Sequence, residues 1–244
     1  MTRVNAARPF ADGGHGKLQA MYIVIAGGGL MGTSLAERLI ANKHDVLVID
    51  PDPAVCEFMQ VELGAMVHAG SATSPRALEA IGLRRADIAV AMMRNDADNL
   101  AFLLLARSHG VPQRLVRMRE KDFEQPYLLA GATAIASSVD PLIEQLYNHI
   151  EFPEIRSLMR LGKGGIDVFE LTIPLEARVA GQTVEQIAQL QGFPPTCNFV
   201  AVESPTGAIE VARGQTVVHG GAAVIMLGQE FELDAVIEIL TRTT

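Results

Sequence analysis

The sequence predicts an α/β protein: a doubly wound parallel sheet followed by a small α+β subdomain. Three observations carry this. Short apolar runs alternate with helical patterns over residues 21–150, which implies a parallel sheet with helices on both faces. The first run opens directly into a glycine-rich turn. Beyond residue 165 the pattern changes to alternating strands in an acidic context.

The elements follow in order. Residues 1–20 are polar and glycine-rich, lack an apolar segment, and read as a flexible leader with Met21 a candidate internal start. Tyr22-Ile23-Val24-Ile25-Ala26 is a buried strand, and a helix runs from about Met31 to Asn42. Val46 to Ile49 is the second strand. Asp52-Pro53 caps a helix over about 54–62, and Ala65 to Ala69 is a strand. Ser74-Pro75 starts a short helix, and Ile88 to Met92 is a buried strand. A long helix spans about 96–109, with Asp96 read as its cap. Arg114 to Met118, a helix over 124–130, Ala134 to Ala136 and an amphipathic helix over 141–150 complete the first domain.

Residues 151–165 hold two glycine- or proline-bearing stretches and read as a linker or crossover. The second domain, 166–244, is expected as a βαβββα unit. Its strands lie at 166–173, 199–202, 216–218 and 223–228, and its helices at 184–190 and 230–240.

The glycine turn carries the chemistry. Gly27-Gly28-Gly29-Leu30-Met31-Gly32 is a GxGxxG sequence between strand and helix. Gly27 turns the chain, Gly29 lets backbone approach a pyrophosphate, and Gly32 lets helix pack on strand. The helix N-terminus then faces the phosphates. Asp50 closes the second strand, 21 residues after Gly29, where a carboxylate accepts adenosine ribose hydroxyls. It repels a 2′-phosphate, which disfavours NADP. The alternative reading keeps these glycines for packing alone.

Composition removes several function classes. No apolar run approaches the roughly 18 residues of a membrane span. Cys56 and Cys197 form no metal or redox pattern and read as inert small residues in a reducing cytoplasm. Six scattered histidines show no paired-ligand spacing, so no metal site is expected. Residues 1–163 carry 17 Lys/Arg and 18 Asp/Glu, and residues 164–244 carry 3 and 10. An acidic second domain does not suit nucleic acid. Its acids Asp167, Glu170, Glu176 and Glu185 read as a solvated face.

Taken together, the motifs resemble a Trk/Ktr-type RCK domain protein, a regulator of potassium conductance, over about nine tenths of the chain. Besides the glycine turn and Asp50, Gly70-Ser71-Ala72-Thr73 resembles the family's GDAT-like loop, and VAMMRNDADN over 90–99 its strand-four segment. Arg117 stands at its strand-five arginine, and Gly131-Ala132 before strand six. Val179 to Thr183 and Gly214 to Leu227 resemble its C-terminal signatures.

The resemblance implies a Rossmann-like nucleotide-binding domain in which Gly27, Gly28, Gly29, Leu30, Met31 and Gly32 cradle phosphates. It implies that Asp50 holds the ribose and that Ser71, Ala72 and Thr73 border adenine. Met93 and Arg94 lie beside the nucleotide, and Arg117 organises its phosphate side. It further implies no catalysis, a homodimer assembling into a ring, and a membrane potassium transporter or channel as partner, at the cytoplasmic face of the cell membrane. Leu30 replaces the arginine of ATP-sensing members, Val139 a cation-binding glutamate, and Ser71, Gln215 and Ala222 motif acids. NAD(H), AMP or ADP are therefore expected over ATP.

Two other readings compete. A small NAD-dependent dehydrogenase needs a proton donor near the nicotinamide. The second domain has no lysine or tyrosine and only His219. A dinucleotide-responsive DNA-binding repressor needs a basic winged helix, for which no segment is available.

Overall fold

The structure, a computed structural model, describes residues 20–161, 165–203 and 206–243. The expected leader lies, apart from Ala20, outside the described residues. The chain separates into two compact units between Ser138 and Val139. The helix expected to close the first domain is thereby grouped with the second unit.

The first unit is a six-stranded parallel sheet in the order β3-β2-β1-β4-β5-β6. Its strands are β1 (Tyr22–Ala26), β2 (Asp45–Asp50), β3 (Met66–Ala69), β4 (Ile88–Ala91), β5 (Gln113–Met118) and β6 (Ala134–Ser137). Between them run α1 (Leu30–Ala41), α2 (Pro53–Leu63), α3 (Pro75–Ala80), α4 (Asp96–Ser108) and α5 (Glu124–Ala130). The winding reverses between β1 and β4, so a crevice is expected at their carboxyl ends.

Side chains alternate between two cores, one on each sheet face. Val24, Ala26, Leu47 and Ile49 join Phe102, Leu103 and Tyr127 in one. Ile23, Ile25, Val46 and Val48 join Ala36 and Met59 in the other. This two-sided burial is why the strands read as unbroken apolar runs.

Helix starts use local caps. Asp52 accepts from Ala54 N–H at 2.9 Å, with Pro53 in the first turn. Ser74 accepts from Ala77 N–H at 3.5 Å, also beside a proline. At α4 the cap is Asn95, which accepts from Ala97 N–H at 2.7 Å. This corrects the expectation for Asp96, whose carboxylate turns inward. α1 ends with Lys43 N–H donating to Ile40 and His44 N–H to Leu39, a Schellman closure. Lys43 takes the left-handed position of that motif at φ 67°, the one non-glycine residue with positive φ among those described.

The second unit begins with α6 (Asp140–Glu151) and contains β7 (Ile155–Leu161), β8 (Ile166–Thr172), α7 (Val184–Ala188), β9 (Asn198–Glu203), β10 (Ile209–Val211), β11 (Ala223–Gln229) and α8 (Leu233–Thr241). The sheet order is β10-β9-β11-β8-β7, with antiparallel neighbours. Phe169, Leu171, Val224 and Met226 pack with Ile187, Leu233, Val236 and Leu240 in one core. Thr183 and Gln186 form a capping box at α7. On α6, Leu142, Ile143, Leu146, Tyr147 and Ile150 are all exposed. No helix of the described residues is long and apolar enough to cross a membrane.

Three local expectations are corrected here. Much of the expected linker is β7, an edge strand with a register irregularity between Ile155 and Ser157. Its sequence, IRSLMRL, lacks a clean period of two. β10 takes the place of the strand expected at 216–218, where Val217 makes only an isolated bridge to Thr183. Thr206 and Gly207 lie in the connection between the paired strands β9 and β10. The four acids do not form one solvated face: Asp167 is fully buried, and Glu170 pairs with Arg156 at 3.2 Å.

Both cysteines are buried and free. Burial first, then the neighbouring Glu232, pushes the Cys197 thiol up to about 11. At neutral pH it is therefore protonated.

Lys43→Gly is expected to raise stability by up to about 1 kcal/mol, because an L side chain is strained where glycine is not. Thermal melts of both proteins check this; a lower midpoint for the variant refutes it.

Candidate functional site

The carboxyl edge of the six-stranded sheet gathers most of the residues singled out in the sequence. β1 ends at Ala26, and Gly27 turns the chain at φ 104° while its N–H donates to Ile49 O at 2.9 Å. A Cβ on Gly27 would lie 3.0 Å from the backbone of Met92 and Met93. A Cβ on Gly32 would lie 1.9 Å from the Gly27 carbonyl oxygen. Packing therefore explains both glycines.

Gly29 is different. It is exposed, its φ of −66° suits any residue, and an added Cβ would meet nothing within 4 Å. The protein leaves that space open on the side where the first turn of α1 begins. The first turn carries no acidic residue. Its dipole end is thus free to meet a negative group. Leu30 and Met31 are 86% and 44% exposed, so their side chains stand outward.

Asp50 ties β2 to this turn. Its Oδ2 accepts from Gly28 N–H at 2.7 Å, and its Oδ1 accepts from Asp52 N–H at 2.9 Å. An ionised carboxylate has about four acceptor positions, so each oxygen retains capacity for a hydroxyl. Asp50 therefore also holds the turn in shape, a role its sequence position did not signal. The Cys56 thiol donates to the Asp50 carbonyl at 3.4 Å. Burial, then the Asp50 charge, raises its pKa.

The loop after β3 is held by its own hydroxyls. Ser71 Oγ and Thr73 Oγ1 are 2.8 Å apart, and Thr73 N–H donates to Ser71 Oγ at 3.2 Å. Ser71 is exposed, whereas the Ala72 methyl is buried in the first core, which leaves only its backbone to face a ligand.

At the ends of β4 and β5 one buried amide does the anchoring. Asn99, fully buried, accepts from Met93 N–H at 2.9 Å and donates to Met93 O at 3.2 Å and Arg117 O at 3.3 Å. Met93 and Arg117 are thus brought together through their backbones. By alternation the Arg117 side chain shares the sheet face of Leu115, and its buried Nε has no hydrogen-bond partner.

Asp96, 4% exposed, accepts from the N–H groups of Arg119 and Glu120 at 3.2 and 3.0 Å and from the Tyr127 hydroxyl at 2.7 Å. Burial, then Asp96, raises the Tyr127 pKa far above its ordinary range, so it stays a donor. Arg119 also donates to Arg94 O at 3.0 Å. A polar cleft of about 380 Å³ opens here, lined by Arg94, Asn95, Asp96, Arg119, Glu120 and Phe123.

Sequence reading missed Arg119 and the anchoring role of Asn99. The D-x-x-N spacing of Asp96 and Asn99 was visible, but a helix cap and a buried anchor share that spacing. Among the described residues no group of three or more His, Cys, Asp or Glu could hold a metal ion.

A family model described as the TrkA-N domain matches residues 23–138. The chain is 30% identical over 225 residues to a protein of Methanothermobacter thermautotrophicus called "Trk system potassium uptake protein TrkA homolog". The match covers 92% of this chain and all of that protein. Among solved structures, the GsuK channel is similar with a TM-score of 0.64 at 18% identity. The GsuK channel bound to NAD gives 0.62 at 20%. Each covers 93% of this chain, which spans only 40% of the GsuK chain's length, and the likeness is one of fold.

Gly32→Ala is expected to lose about 2 kcal/mol or more of stability, as overpacking against backbone does. Gly29→Ala is expected to stay within about 0.5 kcal/mol, as an open surface site does. Urea unfolding of both variants checks the contrast; equal losses would show that Gly29 too serves packing.

Proposed function

Because the chain belongs to the TrkA family of Trk-system potassium uptake proteins, we propose that it is a regulatory gating subunit for a membrane potassium transporter or channel. It binds NAD(H), AMP or ADP as a non-reacting effector at the carboxyl edge of its parallel sheet. The observation that carries this reading is the open space at Gly29 beside packed Gly27 and Gly32. Packing alone does not account for it. A nucleotide phosphate group does, lying against Gly29 and the first turn of α1.

The named residues divide the work. Gly27, Gly28, Gly29 and Gly32 form the cradle, and Leu30 and Met31 its rim. Asp50 accepts ribose hydroxyls while holding Gly28. Ser71, Ala72 and Thr73 border adenine. Met93, Arg94 and Arg117 flank the phosphates from β4 and β5. Leu30 carries no charge for a terminal phosphate, which places ATP below the shorter nucleotides. The GsuK channel bound to NAD, a protein of the same fold, supports a dinucleotide as one occupant.

Regulation then requires the nucleotide to favour one arrangement of the assembled protein over another, since equal affinity for both shifts nothing. The protein acts as a homodimer assembling into a ring, on the cytoplasmic face of the membrane. It does no chemistry on the nucleotide. The domains in this reading are 21–150 for nucleotide binding and 166–244 as the RCK C-terminal subdomain, with 151–165 a crossover whose middle is the strand β7.

Calorimetric titration with NADH, AMP, ADP and ATP tests the site. Binding is expected, with ATP weakest, and Gly29→Asp or Asp50→Ala should weaken it at least about fivefold while the melting midpoint of Gly29→Asp holds. Unchanged affinity in both variants would sink the assignment. Light scattering at micromolar concentration should give a dimer or larger ring, and a strict monomer would overturn the assembly.

A further inference from the structure

Residues 164–244 place most of their few cations in one spot. Residues 164–244 hold three Lys/Arg against ten Asp/Glu. Two of the three, Arg178 and Arg242, line a single cavity of about 360 Å³. That volume lies within the range of small-molecule sites, roughly 300–1,000 Å³.

The cavity is built rather than incidental. Arg178 N–H donates to Arg242 O at 3.0 Å, and Arg242 N–H donates to Glu238 O at 3.1 Å. Gln182 Nε2 donates to Arg178 O at 2.9 Å, and Ala177 bridges Thr243. These bonds tie the loop after β8 to the end of α8 and hold the two arginine-bearing segments side by side. Val179, Leu190 and Ile239 give the cavity an apolar floor continuous with the core of the unit. Gln182, Gln191 and Glu238 complete the lining.

The charge is unbalanced. Among the described residues the ion pair found is Arg156–Glu170, and neither Arg178 nor Arg242 lies within that distance of a carboxylate. Two exposed arginines and one acid, Glu238, line the cavity, which leaves its lining with a net positive charge. An oxyanion there balances that charge and uses the planar donor fork that suits carboxylate and phosphate.

We propose that this cavity binds a small organic oxyanion: a phosphate ester or carboxylate carrying a compact apolar body. The oxyanion takes Arg178 and Arg242, and the apolar body covers Val179, Leu190 and Ile239. Gln182 and Gln191 orient it by hydrogen bonds. Glu238 opposes the anion and limits its affinity. The site lies wholly in the second unit and stands apart from the nucleotide reading.

Phenyl phosphate, benzoate, inorganic phosphate and phenol serve as probes, titrated calorimetrically into full-length Gly29→Asp protein, which removes the glycine turn as a competing oxyanion site. Phenyl phosphate or benzoate should bind saturably. The tighter of the two identifies the ligand as phosphate ester or carboxylate. Inorganic phosphate should bind at least fivefold more weakly, for want of the apolar floor. Arg178→Gln with Arg242→Gln should weaken binding at least tenfold, and Glu238→Gln should tighten it two- to fivefold. Absence of saturable binding, phenol binding as tightly as the anions, or affinity unchanged in the arginine double variant overturns the proposal. Should circular dichroism show that the double variant has not folded, Glu238→Gln decides: unchanged or weaker binding overturns the site. Loss of nucleotide binding in wild-type protein would affect only the first unit.

Discussion

The close approach of α1 to β1 is the constraint on which the first unit depends. Between Gly32 and the Gly27 carbonyl there is no room for a methyl group. That contact brings the start of α1 against the end of the central strand. It also decides where the helix dipole points, which is out over the carboxyl edge of the sheet. With a larger residue at Gly32 the helix would have to back away, and the turn from Gly27 to Gly29 would lose the wall it is folded against. The strand order, with β1 flanked by β2 and β4, then sets Asp50 on one side of the turn and Met93 on the other.

Around this contact the protein spends polar side chains on holding backbone. Asp50 reaches back to Gly28 N–H, Asn99 holds Met93 and Arg117, and Asp96 holds Arg119, Glu120 and Tyr127. Each is a buried or half-buried group whose bonds are strengthened by low dielectric and whose loss would leave backbone groups unpaired. Their common effect is a carboxyl edge that is stiff at the ends of β1, β2, β4 and β5. The groups turned outward there (Leu30, Arg94 and Ser71) are by contrast exposed.

Much of this was legible in the sequence because burial on both sheet faces leaves continuous apolar runs. The β1–β6 alternation, the caps at Asp52 and Ser74, and the glycine turn all come from local rules. What escaped was non-local. β7 is an edge strand whose arginines hide its period, and its partner β8 is what makes it a strand. β10 and the stretch 216–218 are both short and β-prone; only pairing with β9 separates them. Asp96 and Asn95 are equally good caps, and the choice fell to the buried Tyr127, 31 residues away in sequence. The glycines of GxGxxG look alike as letters. Space around each one distinguishes Gly29, and no local pattern encodes space.

The outer strands of both sheets carry a further meaning. β3 and β6 have four residues each, β10 has three, and the longer β7 is interrupted by its irregular register. None offers a long, flat row of free amides and carbonyls. Strand-by-strand growth of either sheet into a neighbouring molecule is thereby discouraged. Sheet edges of this kind leave helices and sheet faces as the surfaces for contact. A protein so built can meet its own copies at high local concentration without its sheets fusing into a continuous ribbon.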